Sequence, residues 1–192
     1  MSSPGTVEGD ERIRLFLALE VPADVTLELV RWGKSHLSGG RRVTSFHVTL
    51  AFLGSQPRAA LGGVVGVLEQ ETAAAESFAL EPVRYRETRS VGMLVLAEPS
   101  GRAAALAERV QRGLEQLCVY ERERRPWLPH VTVLRFRERP RLDPPLPELR
   151  PFVPSGAAAL LSRLHPSGAR YEVLESFALG SHRGTSEERM RP

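Results

Sequence analysis

Cysteine and lysine are almost absent from this sequence of 192 residues. Cys118 is the only cysteine, which excludes an internal disulfide and a zinc site built from cysteines. Lys34 is the only lysine and lacks the Lys-x-Asp-Gly context of a nucleotidyl-lysine ligase, so we expect no ATP-driven ligation. Arginine supplies the other basic side chains. Its planar fork suits phosphate groups, but a genomic bias towards arginine codons explains the excess at least as well.

Long apolar runs are also missing. None approaches the ~18–20 residues that span a bilayer, and Met1 to Glu11 is polar and acidic, unlike a secretory signal. His36, His165 and His182 have no zinc-type spacing with one another or with acidic residues. With 42% apolar and 26% charged residues, the composition is typical of a globular protein. We expect a cytoplasmic monomer with no membrane partner, no metal and no cofactor.

Strand-like and helix-like patterns alternate along the chain, first around His47 and again around His130. This order favours an α+β fold with antiparallel sheets. A proline-rich loop and two loose termini, 1–11 and 181–192, leave 12–180 as one domain. The predicted strands are 14–19, 46–53, 78–87, 91–98, a segment within 127–136, 157–164 and 171–179; the predicted helices are 23–36, 57–75 and 102–117, and the loop is 140–154.

Two short motifs repeat, His47-Val48-Thr49-Leu50 and His130-Val131-Thr132-Val133. With five histidines and eight threonines, a shuffled chain holds about 0.2 His-x-Thr triplets, so one triplet carries little weight. Two triplets with apolar residues at all four neighbouring positions occur in fewer than about one shuffled chain in a thousand. The repeat therefore demands a functional explanation.

The alternation of side chains along a strand supplies a chemical explanation of the repeat. Residues i and i+2 face the same side, so His47 and Thr49 project together, as do His130 and Thr132, while the apolar residues turn into the core. Two such strands side by side present two imidazoles and two hydroxyls around one small space. Hydroxyls donate to phosphate oxygens and imidazoles transfer protons, so the pattern predicts a phosphate-ester site.

The double motif resembles that of the 2H phosphoesterase superfamily, named for its two His-x-Thr/Ser-x motifs. Segments 14–22, 47–54, 125–135 and 161–174 resemble the opening strand, the two motif strands and the closing hairpin of its RNA 2′,3′-cyclic phosphodiesterase branch, the "2′-5′ RNA ligase" family. The resemblance covers about residues 12–180. It implies a bilobal α+β fold with pseudo-twofold symmetry, in which two antiparallel sheets backed by helices flank a central cleft.

The resemblance also implies an activity, the hydrolysis of an RNA 2′,3′-cyclic phosphate end to a 2′-phosphomonoester. His47 would be the general acid on the departing 3′ oxygen and His130 the general base on water, although two like groups can exchange these roles. Thr49, Thr132 and Arg135 would bind the phosphate. Any ligase activity would be this reaction run backwards.

Three positions qualify the resemblance. Arg135 lies two residues beyond Val133, so strict alternation turns it away from the phosphate; we therefore predict a bulge or twist after Val133 that brings it back. Family members often carry an aromatic residue where Leu17 stands, to stack on the terminal base, so leucine there weakens the prediction of stacking. Segment 41–46 is shorter and less hydrophobic than the usual approach to the first motif, which predicts a different cleft rim.

Two other functions stay open. One is a cyclic phosphodiesterase for a small nucleotide, such as an ADP-ribose cyclic phosphate, or for a 2′-5′ oligoadenylate. Competition between a trinucleotide and a mononucleotide would distinguish it. The other is a non-catalytic RNA-end binder, against which the intact histidines and threonines of both motifs argue.

Overall fold

Eight strands and three α-helices make up the part of the chain that the computed structural model describes, residues 11–163 and 170–180. Every element predicted from the sequence is present, with ends that differ by a few residues, and the two-residue strand Arg41–Arg42 was not predicted. His165 and His182 lie outside the described residues. The strands are β1 Arg12–Glu20, β2 Arg41–Arg42, β3 His47–Pro57, β4 Glu81–Glu87, β5 Val91–Ala97, β6 His130–Arg135, β7 Gly156–Arg163 and β8 Arg170–Phe177; the helices are α1 Ala23–His36, α2 Leu61–Ala73 and α3 Arg102–Gln116, with a 3-10 turn at Arg58–Ala60.

The strands form two antiparallel groups that meet at a single residue pair. One group is β8-β7-β1-β3, and the other is β4-β5-β6 with β2 added beside β6. Val48 on β3 pairs with Val131 on β6, and this pair joins the two groups into one sheet. The predicted α+β fold with antiparallel sheets backed by helices is therefore confirmed, with the added finding that the two sheets share one hydrogen-bonded edge.

All three helices lie on the same face of the sheet, called here the helix face. Leu15, Leu17 and Leu19 of β1 point to it and are fully buried. Helices α2 and α3 contact β7 and β3, whereas α1 lies beside β2 and β6, on the other strand group. The first helix therefore crosses to the second group after leaving β1. None of the helices in the described residues is long and apolar enough to cross a membrane.

A buried carboxylate anchors the proline-rich loop to the edge strand β4. Glu87 is 8% exposed and accepts hydrogen bonds from the Tyr85 hydroxyl (3.2 Å), from Nε of Arg139 (3.0 Å) and from the backbone N–H groups of Arg141 (3.0 Å) and Leu142 (2.9 Å). Burial alone would raise the pKa of Glu87, but these donors outweigh burial and lower the pKa below its ordinary value. The ionised carboxylate thus holds the loop in place.

We predict that Glu87→Gln lowers the free energy of unfolding by about 2–4 kcal/mol at pH 7, because it removes the charge that these donors surround. The pKa of Glu87 is lower in the folded chain than in the unfolded chain, so this contribution is present above pH 4.5 and is lost as the pH falls below that value. Denaturant titrations of both proteins at pH 7 and at acidic pH measure the difference. The exposed pair of Glu123 with Arg125 supplies the control, since Glu123→Gln should change stability by less than about 1 kcal/mol. Equal effects at Glu87 and Glu123 would contradict the anchoring role.

Candidate functional site

The two His-x-Thr motifs lie side by side on β3 and β6. Because Val48 pairs with Val131 in an antiparallel register, His47 stands across from Thr132, and Thr49 stands across from His130. The two valines are buried on the helix face, whereas the histidines and threonines are half-buried on the opposite face. We call this opposite face the histidine face. The structure therefore brings together the four motif side chains as the alternation predicted.

Each motif strand contains a bulge at the same distance from its histidine. On β3, Ala18 pairs with Thr49 and Leu17 with Ala51, so Leu50 has no partner across from it on β1. Leu50 and Ala51 are both buried, and Phe52 returns to the histidine face opposite Phe16. The position five residues after His47 is thereby turned towards the site.

The bulge on β6 does the same for Arg135. Met93 pairs with Thr132 and Gly92 with Leu134, which leaves Val133 without a partner across from it on β5. Val133 and Leu134 are both buried, and Arg135 emerges exposed on the side of Thr132. The bulge or twist predicted after Val133 is thus present as a bulge at Val133 itself, and it turns Arg135 to the face that the resemblance implied.

Side chains from outside the motifs bind the carbonyl groups that the irregular strand β3 leaves free. Nε1 of Trp127 donates to the Thr49 carbonyl (2.8 Å), and Nε2 of the buried Gln111 donates to the Leu50 carbonyl (2.8 Å). Trp127 precedes β6, so its hydrogen bond also ties the two motif strands together beyond the Val48–Val131 pair. Sequence patterns gave no sign of either hydrogen bond, because both depend on where β3 bulges.

His130 is held in one orientation and one neutral tautomer. Its Nδ1 lies 2.8 Å from the Leu128 carbonyl oxygen, which can only accept a hydrogen bond. Nδ1 therefore carries the proton, and the lone pair of the neutral ring is on Nε2. A histidine fixed in this way can take a proton at Nε2.

His47 lies in an aromatic environment instead. Its ring centroid is 4.9 Å from that of Phe16 and 5.1 Å from that of Tyr171, which it meets edge to face. Burial lowers the pKa of His47 from 6.5 to about 4, and the Arg135 guanidinium and the His130 ring act in the same direction. His47 is therefore neutral in the free protein at pH 7. The effects of Arg135 and His130 on this pKa indicate that both charges lie close to His47.

The site offers further donors to an anion. Neither threonine hydroxyl, of Thr49 or Thr132, has a hydrogen-bond partner among the described residues, and Arg135 forms no ion pair there. Within the described residues, 11–163 and 170–180, no three His, Cys, Asp or Glu side chains are grouped as metal ligands would be. Two hydroxyls, one guanidinium and two imidazoles thus converge on one place, which suits a phosphate group.

Leu17 corrects the prediction about base stacking. It is fully buried on the helix face, so no aromatic residue at this position could reach the site. Phe16 and Tyr171 lie on the histidine face instead and belong to a small apolar cluster with Ala18, Ala158 and Leu160. The resemblance pointed to position 17, next to Phe16, and no sequence pattern indicated Tyr171 on β8.

The remaining histidine of the described chain lies elsewhere. His36 is at the end of α1, where its ring centroid is 6.2 Å from that of Trp32. Two surface cavities of about 410 and 400 Å³ flank α1, and none of the five predicted site residues lines them.

Comparisons with known proteins identify a family for this chain and relatives of its fold. The family model described as "2'-5' RNA ligase superfamily" matches residues 20–165. The chain is 30% identical over 192 residues to a Thermus thermophilus protein named RNA 2′,3′-cyclic phosphodiesterase, covering 91% of this chain and 94% of that protein. Among solved structures, TT0787 of Thermus thermophilus superposes with a TM-score of 0.74 at 26% identity, covering 88% and 98% of the two chains. Escherichia coli LigT complexed with 3′-AMP gives a TM-score of 0.77 at 22% identity, covering 89% and 100%.

We predict that the imidazole of His47 titrates with a midpoint near pH 4 in the free protein. Arg135→Gln should raise this midpoint, since it removes a nearby positive charge, but should not restore the ordinary value of 6.5 because burial is the larger cause. NMR titration of the histidine ring resonances measures both values. Arg137→Gln is the matched control and should leave the midpoint unchanged. A midpoint near 6.5 in the unaltered protein would contradict a buried, neutral His47.

Proposed function

Because the chain belongs to the 2'-5' RNA ligase superfamily, whose members are 2H phosphoesterases, we propose that it hydrolyses RNA 2′,3′-cyclic phosphate ends to 2′-phosphomonoesters with two histidines and no metal. The observation that carries the proposal is the register of β3 and β6, which sets each histidine across from the threonine of the other motif. A phosphate bound to both hydroxyls then has one imidazole on either side.

The cyclic phosphate would bind through its two non-bridging oxygens. The hydroxyls of Thr49 and Thr132 donate to these oxygens, and the Arg135 guanidinium adds charged hydrogen bonds. Arg135 is the fifth residue after His130, and the fifth residue after His47 is Phe52, which has no charge. The phosphate is therefore drawn towards the β6 side of the site, next to His130.

The reaction needs one proton accepted and one donated. Nε2 of His130 takes a proton from water while the water oxygen attacks phosphorus, and the bond from phosphorus to the 3′ oxygen breaks. His47 gives a proton to that departing oxygen, which leaves a 3′ hydroxyl and a 2′-phosphomonoester. The hydrogen bond from Nδ1 of His130 to the Leu128 carbonyl supports the base role, because it keeps the Nε2 lone pair available.

The low pKa of His47 makes substrate binding part of the acid step. A neutral His47 cannot serve as the general acid that protonates the departing oxygen. Burial and the charge of Arg135 both oppose the protonation of His47 in the free protein. A bound cyclic phosphate brings one negative charge between Arg135 and the ring, which favours the imidazolium form. In this proposal the acid gains its proton when the anion binds, and this is the condition that the low pKa of His47 sets on its role as acid.

We expect the protein to convert an RNA with a 2′,3′-cyclic phosphate end into a product that bears a phosphatase-sensitive 2′-monophosphate, identified by mass. His47→Gln and His130→Gln should each reduce turnover by roughly 10²–10⁴-fold, the usual contribution of a positioned acid or base. Glutamine preserves much of the side-chain volume beside Phe16, so melting temperatures should change little. Activity that a chelator abolishes and Mg²⁺ or Mn²⁺ restores would exclude the mechanism, and the absence of any turnover would favour an RNA-end binder.

The role of Arg135 has its own test. Arg135→Ala should lower kcat/KM by roughly 10–100-fold, about 1.5–3 kcal/mol for hydrogen bonds to a charged group, and Arg135→Lys should recover only part of the loss because lysine lacks the fork. Arg137, also exposed but beyond the end of β6, is the control, and Arg137→Ala should have a much smaller effect. Equal, small effects at both positions would remove Arg135 from the phosphate site.

A further inference from the structure

A row of side chains leads away from His47 across the histidine face of β3 and β1. The ring of Phe16 lies 4.9 Å from His47, the ring of Phe52 lies 6.4 Å from Phe16, and the guanidinium carbon of Arg14 lies 5.5 Å from the centre of the Phe52 ring. Two aromatic rings and one cation thus follow the catalytic histidine in succession.

Arg14 has no counter-ion or hydrogen-bond acceptor in the described part of the chain. Its Nε is buried without a hydrogen-bond partner, and it forms no ion pair there. The neighbouring arginines at this end of the sheet differ, since Arg12 donates to Ser55 and Arg58 pairs with Glu11. Arg14 is also on β1, a central strand, where a half-buried unpaired guanidinium is costly. Among the described residues, the Phe52 ring below the guanidinium is the only group that offsets this cost.

Phe52 is unusual in the opposite sense, because it is a large apolar side chain that is 52% exposed. The bulge in β3 turns it away from the core, to the position that Arg135 occupies in the second motif. An exposed aromatic ring beside an arginine that has no acidic partner is a combination that binds single-stranded nucleic acid, in which a base stacks on the ring and the cation contacts the backbone.

We propose that Phe52 and Arg14 form a binding site for the RNA upstream of the cyclic phosphate, and that the protein therefore acts on oligonucleotide ends in preference to cyclic mononucleotides. A 2′,3′-cyclic phosphate ends its strand, so the rest of the RNA leaves the histidines in one direction only. Along this row an upstream base stacks on Phe52, and its phosphodiester accepts hydrogen bonds from Arg14. This inference rests on the proposed function and specifies its substrate class.

A second pair of arginines offers a different route. Arg84 and Arg86 pair with Val95 and Met93 across β5, so they also lie on the histidine face, and both are exposed. They belong to β4, however, which is an edge strand, where charged side chains serve to prevent pairing between molecules. Their exposure therefore needs no ligand to explain it, whereas a half-buried Arg14 without an acceptor among the described residues is unusual on a central strand.

The test compares 2′,3′-cyclic AMP with di-, tri- and tetra-adenylates that end in a 2′,3′-cyclic phosphate. The ratio of kcat/KM for the trinucleotide to that for the mononucleotide should be at least about 10 in the unaltered protein, and Arg14→Gln should lower this ratio roughly 10-fold. Phe52→Leu should lower it at least about 5-fold through lost stacking. For the trinucleotide, the slope of log kcat/KM against log salt concentration should also fall by about 0.7 in Arg14→Gln, the loss of one phosphate contact.

Arg58→Gln is the matched control, because it removes the same charge from the same end of the sheet, and the ratio should stay unchanged. Thermal melts check that Arg14→Gln is folded, and Arg14→Lys, which keeps the charge, should retain part of the ratio. Equal kcat/KM for all substrate lengths would overturn the upstream site while leaving the proposed function intact. A preference for the trinucleotide that is lost in Arg84→Gln or Arg86→Gln but kept in Arg14→Gln would do the same. Failure to hydrolyse any of the substrates would instead refute the proposed function.

Discussion

The candidate site depends on one pair of residues, Val48 and Val131, through which two strand groups become one sheet. Side chains alternate along each strand, so a slip of one residue in either strand would turn its histidine and threonine into the core. The burial of both valines under the helices makes that slip costly, since it would expose apolar side chains and bury polar ones. Strand pairing contributes little here because it is so short. The hydrogen bond from Trp127 to the Thr49 carbonyl therefore matters, because it ties the two strands where their own pairing has stopped.

The bulges in β3 and β6 decide what surrounds the four motif side chains. Each places two consecutive residues in the core and returns the next residue to the histidine face. Without them Phe52 and Arg135 would point towards the helices, where a guanidinium would lack partners. Gln111 compensates for the first bulge by binding the carbonyl of Leu50. The functional face is thus obtained by interrupting the regular ladder rather than by extending it.

Much of this arrangement could be predicted from the sequence because it follows from periodicity. The alternation of His47 to Leu50 and of His130 to Val133 predicted which side chains share a face, and helix α1 was predicted at its observed bounds. The bulge after Val133 was predicted only because the family resemblance and the alternation disagreed at Arg135. The bulge at Leu50 caused no such conflict and was missed, since an apolar Ala51 is acceptable on either face. Leu17 was misjudged for a related reason: a one-residue difference in position exchanges the two faces of β1, and Phe16 is the residue that faces His47.

The two motifs have the same backbone form but different chemistry, and this difference gives the site a direction. Five residues after its histidine, the first motif carries the aromatic Phe52 and the second carries the cation Arg135. Phe16 and Tyr171 surround His47, whereas His130 contacts a backbone carbonyl. Burial beside aromatic rings disfavours the charged imidazole, and a carbonyl that accepts from Nδ1 fixes the basic nitrogen. Two like groups in like positions of a pseudo-symmetric fold therefore need not share a role. The apolar surroundings of His47 lower its pKa, so in the proposed mechanism its protonation requires a bound anion, which no feature of His130 demands.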